Sequence, residues 1–150
     1  MERTLVIVKP DAVQRGLVGQ ILARFEVKGL NIIAVKMMKI SKELAEKHYQ
    51  EHKGKDFYQG LLDYITCGPV LLIVLEGPAA IDIVRRMIGP TDGSTAPAGT
   101  IRGDFGTTIR YNLVHGSDSA ESAEREISLF FNSNELLNYD RTILQWCWQR

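Results

Sequence analysis

Short runs of apolar residues alternate with polar segments along the chain, and four of these runs have the length and the β-branched content of strands. The first run stops at Pro10, which lacks the N–H that a sheet ladder needs. The last run ends directly before His115. The predicted strands cover 4–9, 31–40, 69–75 and 111–114.

Between these strands, apolar positions recur every three or four residues, which is the spacing of an amphipathic helix. One helix is predicted from Leu17 to a stop at Gly29, and Ser41 is a suitable N-cap for a second helix. A third predicted helix follows Gly77-Pro78, and a fourth has Ala120, Ala123, Ile127 and Phe130 on one face. Residues 89–103 lack this period and are rich in Gly, Pro, Thr and Ala, so they are predicted to form a long irregular loop.

The order of these elements predicts an α+β fold of the ferredoxin-like type. We expect a four-stranded antiparallel sheet (βαββαβ) with additional helices and the long irregular loop. No repeat or linker interrupts the chain, so residues 1–150 are expected to form one domain. The first and third predicted strands are apolar on both faces, whereas one face of an open antiparallel sheet normally meets water. A partner subunit could cover the second face, and a homo-oligomer is therefore expected.

The charges of the chain balance, with 18 Lys plus Arg and 18 Asp plus Glu. No global field attracts nucleic acid or a membrane, so neither is expected as a stable partner, and any anion site must be built locally. No apolar run approaches the roughly 20 residues that cross a bilayer, and no export signal is recognised at the N-terminus. Cys67 and Cys147 lack metal or redox spacing. A cytoplasmic location is expected.

The strongest local indication of chemistry is the segment Asn112-Leu-Val-His-Gly-Ser-Asp. A neutral imidazole is a competent nucleophile toward a phosphoryl group when an acceptor holds its second nitrogen. Glu126 is a candidate for that acceptor, because it lies at the border of an apolar helix stripe and could turn inward. Ser117 could bond either Glu126 or a transferred phosphate. From these residues alone, a purely structural role for His115 at a strand end stays open.

A phosphate donor requires cationic groups in fixed geometry, usually with a metal ion. Tyr49 and Phe57 offer aromatic surface for a base, with buried packing as an equal alternative. Basic and hydroxyl side chains lie at element ends and around the long loop, where they could converge on phosphates: Lys9, Arg85, Thr91 and Arg102.

Several other phosphate or metal devices are absent from the sequence. There is no P-loop motif, and the Asp104-Phe-Gly tripeptide has no accompanying H-R-D loop, so we treat it as a coincidence. His48 and His52 have i, i+4 spacing and could ligate a metal, but no third ligand is evident and a helix face is the preferred interpretation. No residue is assigned as a metal ligand.

Over essentially its full length, the chain resembles the nucleoside diphosphate kinases. The resemblance implies that His115, within an N-x-x-H-G-S-D signature, accepts the phosphate and that Glu126 orients it. The stretches that carry the resemblance are 8–19, 48–54, 68–70, 76–77, 99–105 and 112–119.

The resemblance further implies a ping-pong reaction with Mg²⁺ as the cofactor. A nucleoside triphosphate such as ATP would phosphorylate His115 and leave as the diphosphate, and a second nucleoside diphosphate would take the phosphate away. The base would stack on Phe57, and Lys9 and Asn112 would bind the ribose. The family also implies a homo-oligomer, with a hexamer favoured over a tetramer. The residues implied to bind phosphates are Tyr49, Arg85, Thr91 and Arg102.

Two other functions are weighed against this one. A ferredoxin-like binding module without catalytic activity could use the same pocket to sense a nucleotide, but the presence of the full set of implied site residues argues against it. A phosphohistidine carrier or protein-histidine kinase would share His115 but would need a protein partner. Turnover of ATP and GDP by the pure protein separates the three.

Overall fold

A four-stranded antiparallel sheet forms the centre of the computed structural model, which describes residues 1–148. The strands are β1 (Glu2–Val8), β2 (Asn31–Met38), β3 (Val70–Gly77) and β4 (Val114–Gly116). Their order in the sheet is β2-β3-β1-β4, with every neighbouring pair antiparallel, as a ferredoxin-like fold requires. The predicted fold class is thereby confirmed.

Seven α-helices connect or flank these strands within the described residues. They are α1 (Pro10–Gln14), α2 (Val18–Val27), α3 (Lys42–His48), α4 (Tyr58–Thr66), α5 (Ala80–Ile88), α6 (Ile101–Phe105) and α7 (Ala120–Phe130). Helices α2, α3, α5 and α7 correspond to the predicted helices, and α1, α4 and α6 were not predicted. In α1, Pro10 occupies the first turn, where its missing N–H has no intrahelical partner to lose.

Two sequence expectations are corrected near the site. The loop over 89–103 contains the start of α6, because the Thr100 side chain caps that helix by accepting from the Gly103 N–H at 2.9 Å. His115 does not end a strand over 111–114; it is the central residue of β4 and lies opposite Ile7 of β1. The backbone around the histidine is therefore held by a sheet ladder on the β1 side.

Both faces of the sheet are covered within the single chain. Side chains that alternate along β1 enter two separate apolar cores, with Val6 in one and Ile7 in the other. Helices α1, α2, α5 and α6 pack on the first face, and α3, α4 and α7 pack on the second. The two apolar faces of β1 and β3 therefore require no partner subunit, and that argument for an oligomer is withdrawn. Among residues 1–148, no helix is long and apolar enough to span a membrane.

Candidate active site

The imidazole of His115 is oriented by a carboxylate from α7, the helix that packs on the face of the sheet to which His115 and Ile7 point. Its Nε2 lies 2.9 Å from Oε1 of Glu126, which projects from α7. A carboxylate can only accept, so Nε2 carries a proton and, in the neutral ring, Nδ1 keeps its lone pair. The His115 side chain remains 22% exposed, which leaves the ring accessible from solvent.

Glu126 is itself buried and held in place by Ser117. The Ser117 hydroxyl donates to Oε1 of Glu126 at 2.7 Å and accepts the Leu5 N–H at 3.2 Å. Burial alone would raise the pKa of Glu126, but the hydrogen bonds from His115 and Ser117 outweigh it and the pKa lies below its usual value. The carboxylate is therefore an anion at neutral pH. The structure brings all three predicted catalytic residues together.

The turn before β4 has an unusual backbone. Leu113 has a φ of 70°, in the left-handed region that non-glycine residues rarely adopt. Its N–H donates to Oδ2 of Asp11 at 3.2 Å, and its carbonyl accepts the Lys9 N–H at 2.8 Å. These two bonds hold the turn against the start of α1 and fix Asn112 beside Lys9.

A small pocket of about 100 Å³ adjoins the imidazole and is lined by four of the predicted site residues. They are Arg85 from α5, Thr91 from the loop, Arg102 from α6 and His115 itself. The Arg102 guanidinium donates to the backbone carbonyls of Asn112, Gly89 and Val114 at 3.0, 2.9 and 2.7 Å. Burial, and then the charge of Arg85, lowers the pKa of Arg102 to about 10, so the group stays cationic at neutral pH.

Lys9 adds a further cation, buried at 5% exposure behind the same turn. Its Nζ donates to Oδ1 of Asn112 at 2.7 Å. Burial and then the charge of Arg102 lower the pKa of Lys9 to about 7, against a smaller raising effect of Asp11. The positive charge of Arg102 thus opposes protonation of Lys9 and is itself opposed by the charge of Arg85, and a bound polyanion would relieve both effects.

The aromatic candidates lie on the other side of the imidazole. Tyr49 lines a second pocket of about 190 Å³ with Arg85 and His115, and burial, followed by the charge of Glu126, raises the pKa of Tyr49 so that its hydroxyl stays neutral. The Phe57 ring is 52% exposed and lies 5.4 Å from the His52 ring, which lines the same pocket. Phe57 is therefore a half-exposed rim residue, and the Lys55 Nζ lies over its ring at 5.6 Å from the ring centre.

His48 is the residue of the site that sequence reasoning missed. Assigned there to a helix face, it is 4% exposed, and its ring centre lies 4.8 Å from that of His115 with the planes at 84°. Burial and then the neighbouring His115 lower the pKa of His48 to about 3, so this ring is neutral. Its position four residues after Leu44 and three after Ala45 places it on the apolar stripe of α3, a signal that was available in the sequence. His52, expected on the same helix, lies beyond the end of α3 in a short 3₁₀ turn.

Among the residues that the structure describes, one group of three side chains could hold a metal ion: His48, His115 and Glu126. Two nitrogens and one carboxylate are a poor set for Mg²⁺, which prefers oxygen ligands and retained water.

A ferredoxin-like sheet that presents an oriented, unprotonated imidazole nitrogen beside a cationic pocket has the features of a histidine-dependent phosphotransferase. The comparisons with known proteins agree. A family model for nucleoside diphosphate kinase matches residues 2–136. The chain is 57% identical over 146 residues to the nucleoside diphosphate kinase of Thermomicrobium roseum, covering 97% of this chain and 98% of the relative. It is 58% identical over 142 residues to that of Pyrococcus furiosus, covering 93% and 88%.

A solved structure, that of the halophilic nucleoside diphosphate kinase from Halobacterium salinarum in complex with CDP, superposes with a TM-score of 0.96 at 49% identity, covering 99% of each chain. The chain belongs to the nucleoside diphosphate kinase family. It is thus a phosphotransferase of nucleotides, in a family whose general mechanism passes the phosphate through a histidine intermediate.

Proposed function

We propose that His115 is the residue that carries the phosphate, taken from a nucleoside triphosphate such as ATP and passed to a nucleoside diphosphate. The observation that supports this most is the hydrogen bond from His115 Nε2–H to Glu126, because it leaves Nδ1 unprotonated on a ring that lines the cationic pocket. Glu126 and Ser117 are the groups that position the ring.

In the first half-reaction, the Nδ1 lone pair attacks the terminal phosphorus. The Nδ1–P bond forms as the bond to the bridging oxygen breaks, and the nucleoside diphosphate leaves. No base is needed, since Nδ1 has no proton to lose. The ring gains positive charge, and the Glu126 carboxylate at Nε2 stabilises that charge. The second half-reaction reverses these steps with another diphosphate.

The remaining candidates bind the nucleotide. Lys9 and Asn112 are assigned to the ribose hydroxyls, supported by the bond that already joins them. Phe57 is assigned to the base, and stacking on an exposed ring favours every base alike. The phosphates are assigned to residues with cationic or hydroxyl side chains that line the two pockets beside His115: Tyr49, Arg85, Thr91 and Arg102. Mg²⁺, bound to the phosphate oxygens, would neutralise charge and orient the transferring group.

We further propose one domain over residues 1–150, a cytoplasmic location and a homo-oligomer, with a hexamer favoured over a tetramer. With the sheet faces covered, support for the oligomer comes from β2, which is an edge strand in the described sheet. Its Val35 and Met37 side chains are 44% and 56% exposed. Light scattering on the purified protein gives the subunit number.

Intact mass spectrometry at neutral pH tests the proposal. Incubation with magnesium ATP should add one acid-labile phosphate, and GDP should then remove it as GTP. The chain has three histidines, so His115→Ala and a matched His52→Gln variant separate the sites. Phosphate that persists in His115→Ala contradicts the assignment. Phosphate that GDP cannot remove from the wild-type protein favours the carrier alternative.

A further inference from the structure

The cluster of His48, His115 and Glu126 has a property that phosphate transfer does not use. Within residues 1–148, neither ring nitrogen of His48 has a hydrogen-bond partner, although the residue is only 4% exposed. Buried polar atoms normally have partners, so two such atoms on one ring require an explanation. The ring lies against His115, and the three potential ligand atoms are all within 4.8 Å of one another.

We propose that these three side chains form an inhibitory site for a divalent transition-metal ion, with Zn²⁺ as the best-matched ion. Two imidazoles and a carboxylate are a common Zn²⁺ ligand set, with metal–ligand distances of about 2.0–2.2 Å. Tetrahedral ligands at those distances are about 3.4 Å apart. Small side-chain rotations therefore close the cluster around an ion.

The surroundings of the cluster suit an ion of this kind. All three residues line the pocket of about 190 Å³, so the ion has an entry path and its fourth position can take water. Ser117 supports the carboxylate ligand from outside through its 2.7 Å hydrogen bond. Mg²⁺, carried by nucleotide phosphates, does not compete for two nitrogen ligands.

Binding of the ion silences His115 whichever ring nitrogen it uses. A neutral imidazole has one lone pair available in the ring plane. If Nε2 gives its lone pair to the metal, its proton moves through solvent to Nδ1, with no net proton released. If Nδ1 binds the metal, its lone pair is occupied directly. In both cases no nitrogen is left to attack phosphorus.

Calorimetry with Zn²⁺ alone, on the full-length protein without nucleotide, tests the site independently of catalysis. Both cysteines are exposed and could bind Zn²⁺ themselves, so all proteins carry Cys67→Ser and Cys147→Ser. The background protein and its His52→Gln variant should each bind one ion per chain. His48→Gln should bind it at least about tenfold more weakly, since loss of an outer-shell partner alone costs 10- to 100-fold. Equal affinity in His48→Gln, or no binding in the background protein, overturns the proposal.

NMR of the imidazole nitrogens, recorded on the protein that keeps His48, tests the site without relying on correct folding of the His48→Gln variant. Zn²⁺ should shift the resonances of His48 and His115 and leave those of His52 unchanged. Shifts confined to His52 overturn the site.

The inhibition rests on the proposed role of His115. Zn²⁺ should prevent phosphorylation by magnesium ATP, and a chelator selective for Zn²⁺ over Mg²⁺ should restore it. Phosphorylation that proceeds with the site loaded overturns the inhibitory role, whereas failure of the metal-free enzyme to phosphorylate would count against the proposed function instead.

Discussion

Replacement of Glu126 by glutamine removes one charge from the site and preserves the shape of the side chain. The carboxylate accepts from both His115 and Ser117 through the same oxygen, Oε1. A glutamine is expected to direct its carbonyl oxygen to the Ser117 hydroxyl, because the other acceptor for that hydroxyl, the Leu5 carbonyl, lies 3.5 Å away. The same oxygen then also faces Nε2–H of His115, so the variant retains the reactive tautomer and loses only the negative charge.

The magnitude follows from the type of hydrogen bond. A hydrogen bond to a charged group contributes roughly 1.5–3 kcal/mol, and one between neutral groups roughly 0.5–1.5 kcal/mol. The difference, about 1–2 kcal/mol, acts on the positive charge that His115 acquires when its Nδ1 binds phosphorus. At about 1.4 kcal/mol per factor of ten, Glu126→Gln should slow phosphorylation roughly 5- to 30-fold.

Single-turnover phosphorylation by saturating magnesium ATP, quenched in alkali, measures that rate directly. Glu124→Gln is the matched control, because it removes the same charge from an exposed position of α7 and should leave the rate unchanged. Adding Ser117→Ala to Glu126→Gln frees the amide to turn its NH₂ toward Nε2, and should slow the reaction further. A rate within twofold of wild type in Glu126→Gln, or equal slowing in Glu124→Gln, would refute this account of the carboxylate.

Three further predictions concern the charge, the backbone and the base site. The pKa of Lys9 is about 7 when folded against an ordinary 10.5, so the unfolded chain binds more protons between these values. Relative to Lys9→Met, the wild-type free energy of unfolding should therefore rise with pH, by up to about 1.4 kcal/mol per unit above pH 7. Urea unfolding at pH 7.5 and 9 measures the difference in this free energy between the two proteins, and a difference that is the same at both pH values contradicts the prediction. In Gly103→Ala the new Cβ would lie 1.9 Å from the Pro97 carbonyl oxygen, and we expect chemical unfolding to show a loss of about 1–3 kcal/mol or more. Gly19→Ala is the control, because a Cβ at that position has no atom of the described residues within 4 Å. It should be neutral or stabilising by up to about 1 kcal/mol. A loss of unfolding free energy in Gly19→Ala as large as that in Gly103→Ala would rule out the steric explanation. Phe57→Ala should raise KM for ADP, GDP and CDP alike by roughly 5- to 150-fold, from about 1–3 kcal/mol of stacking, and a base-dependent change would indicate other contacts.

The elements that sequence reasoning predicted are those whose own periodicity specifies them. Glu126 is an instructive case, because its place at the border of the apolar stripe through Ile127 made it only a candidate for an inward carboxylate, and its possible pairing with His115 was what gave that candidate weight. By contrast, α6 is a five-residue helix with a glycine inside it, in a segment of turn-forming residues. Its formation depends on the Thr100 cap and on packing of Ile101 in the core, which local propensity does not describe.

The neighbours of the His115 ring were harder to predict for a different reason. Residues 111–114 have the branched and aromatic content of a strand, yet the ladder with β1 covers Val114 to Gly116 instead. The left-handed turn at Leu113 interrupts the extended backbone before that point. Contacts between His48 and His115 depend on the packing of α3 against the sheet, which no spacing within one segment encodes.

The two arginines that line the pocket of about 100 Å³ beside His115 differ in how many backbone groups they hold in place. Arg102 donates to the carbonyls of Asn112 and Val114, which flank the turn before His115, and to that of Gly89. Arg85 makes, among the residues that the structure describes, one hydrogen bond of 3.3 Å, to the carbonyl of Gly116. Removal of Arg102 therefore leaves three buried or half-buried carbonyls without their donor and displaces the turn, so lost activity would report geometry as well as charge. Removal of Arg85 disturbs much less backbone, and it is the substitution that isolates what a positive charge contributes to phosphate transfer.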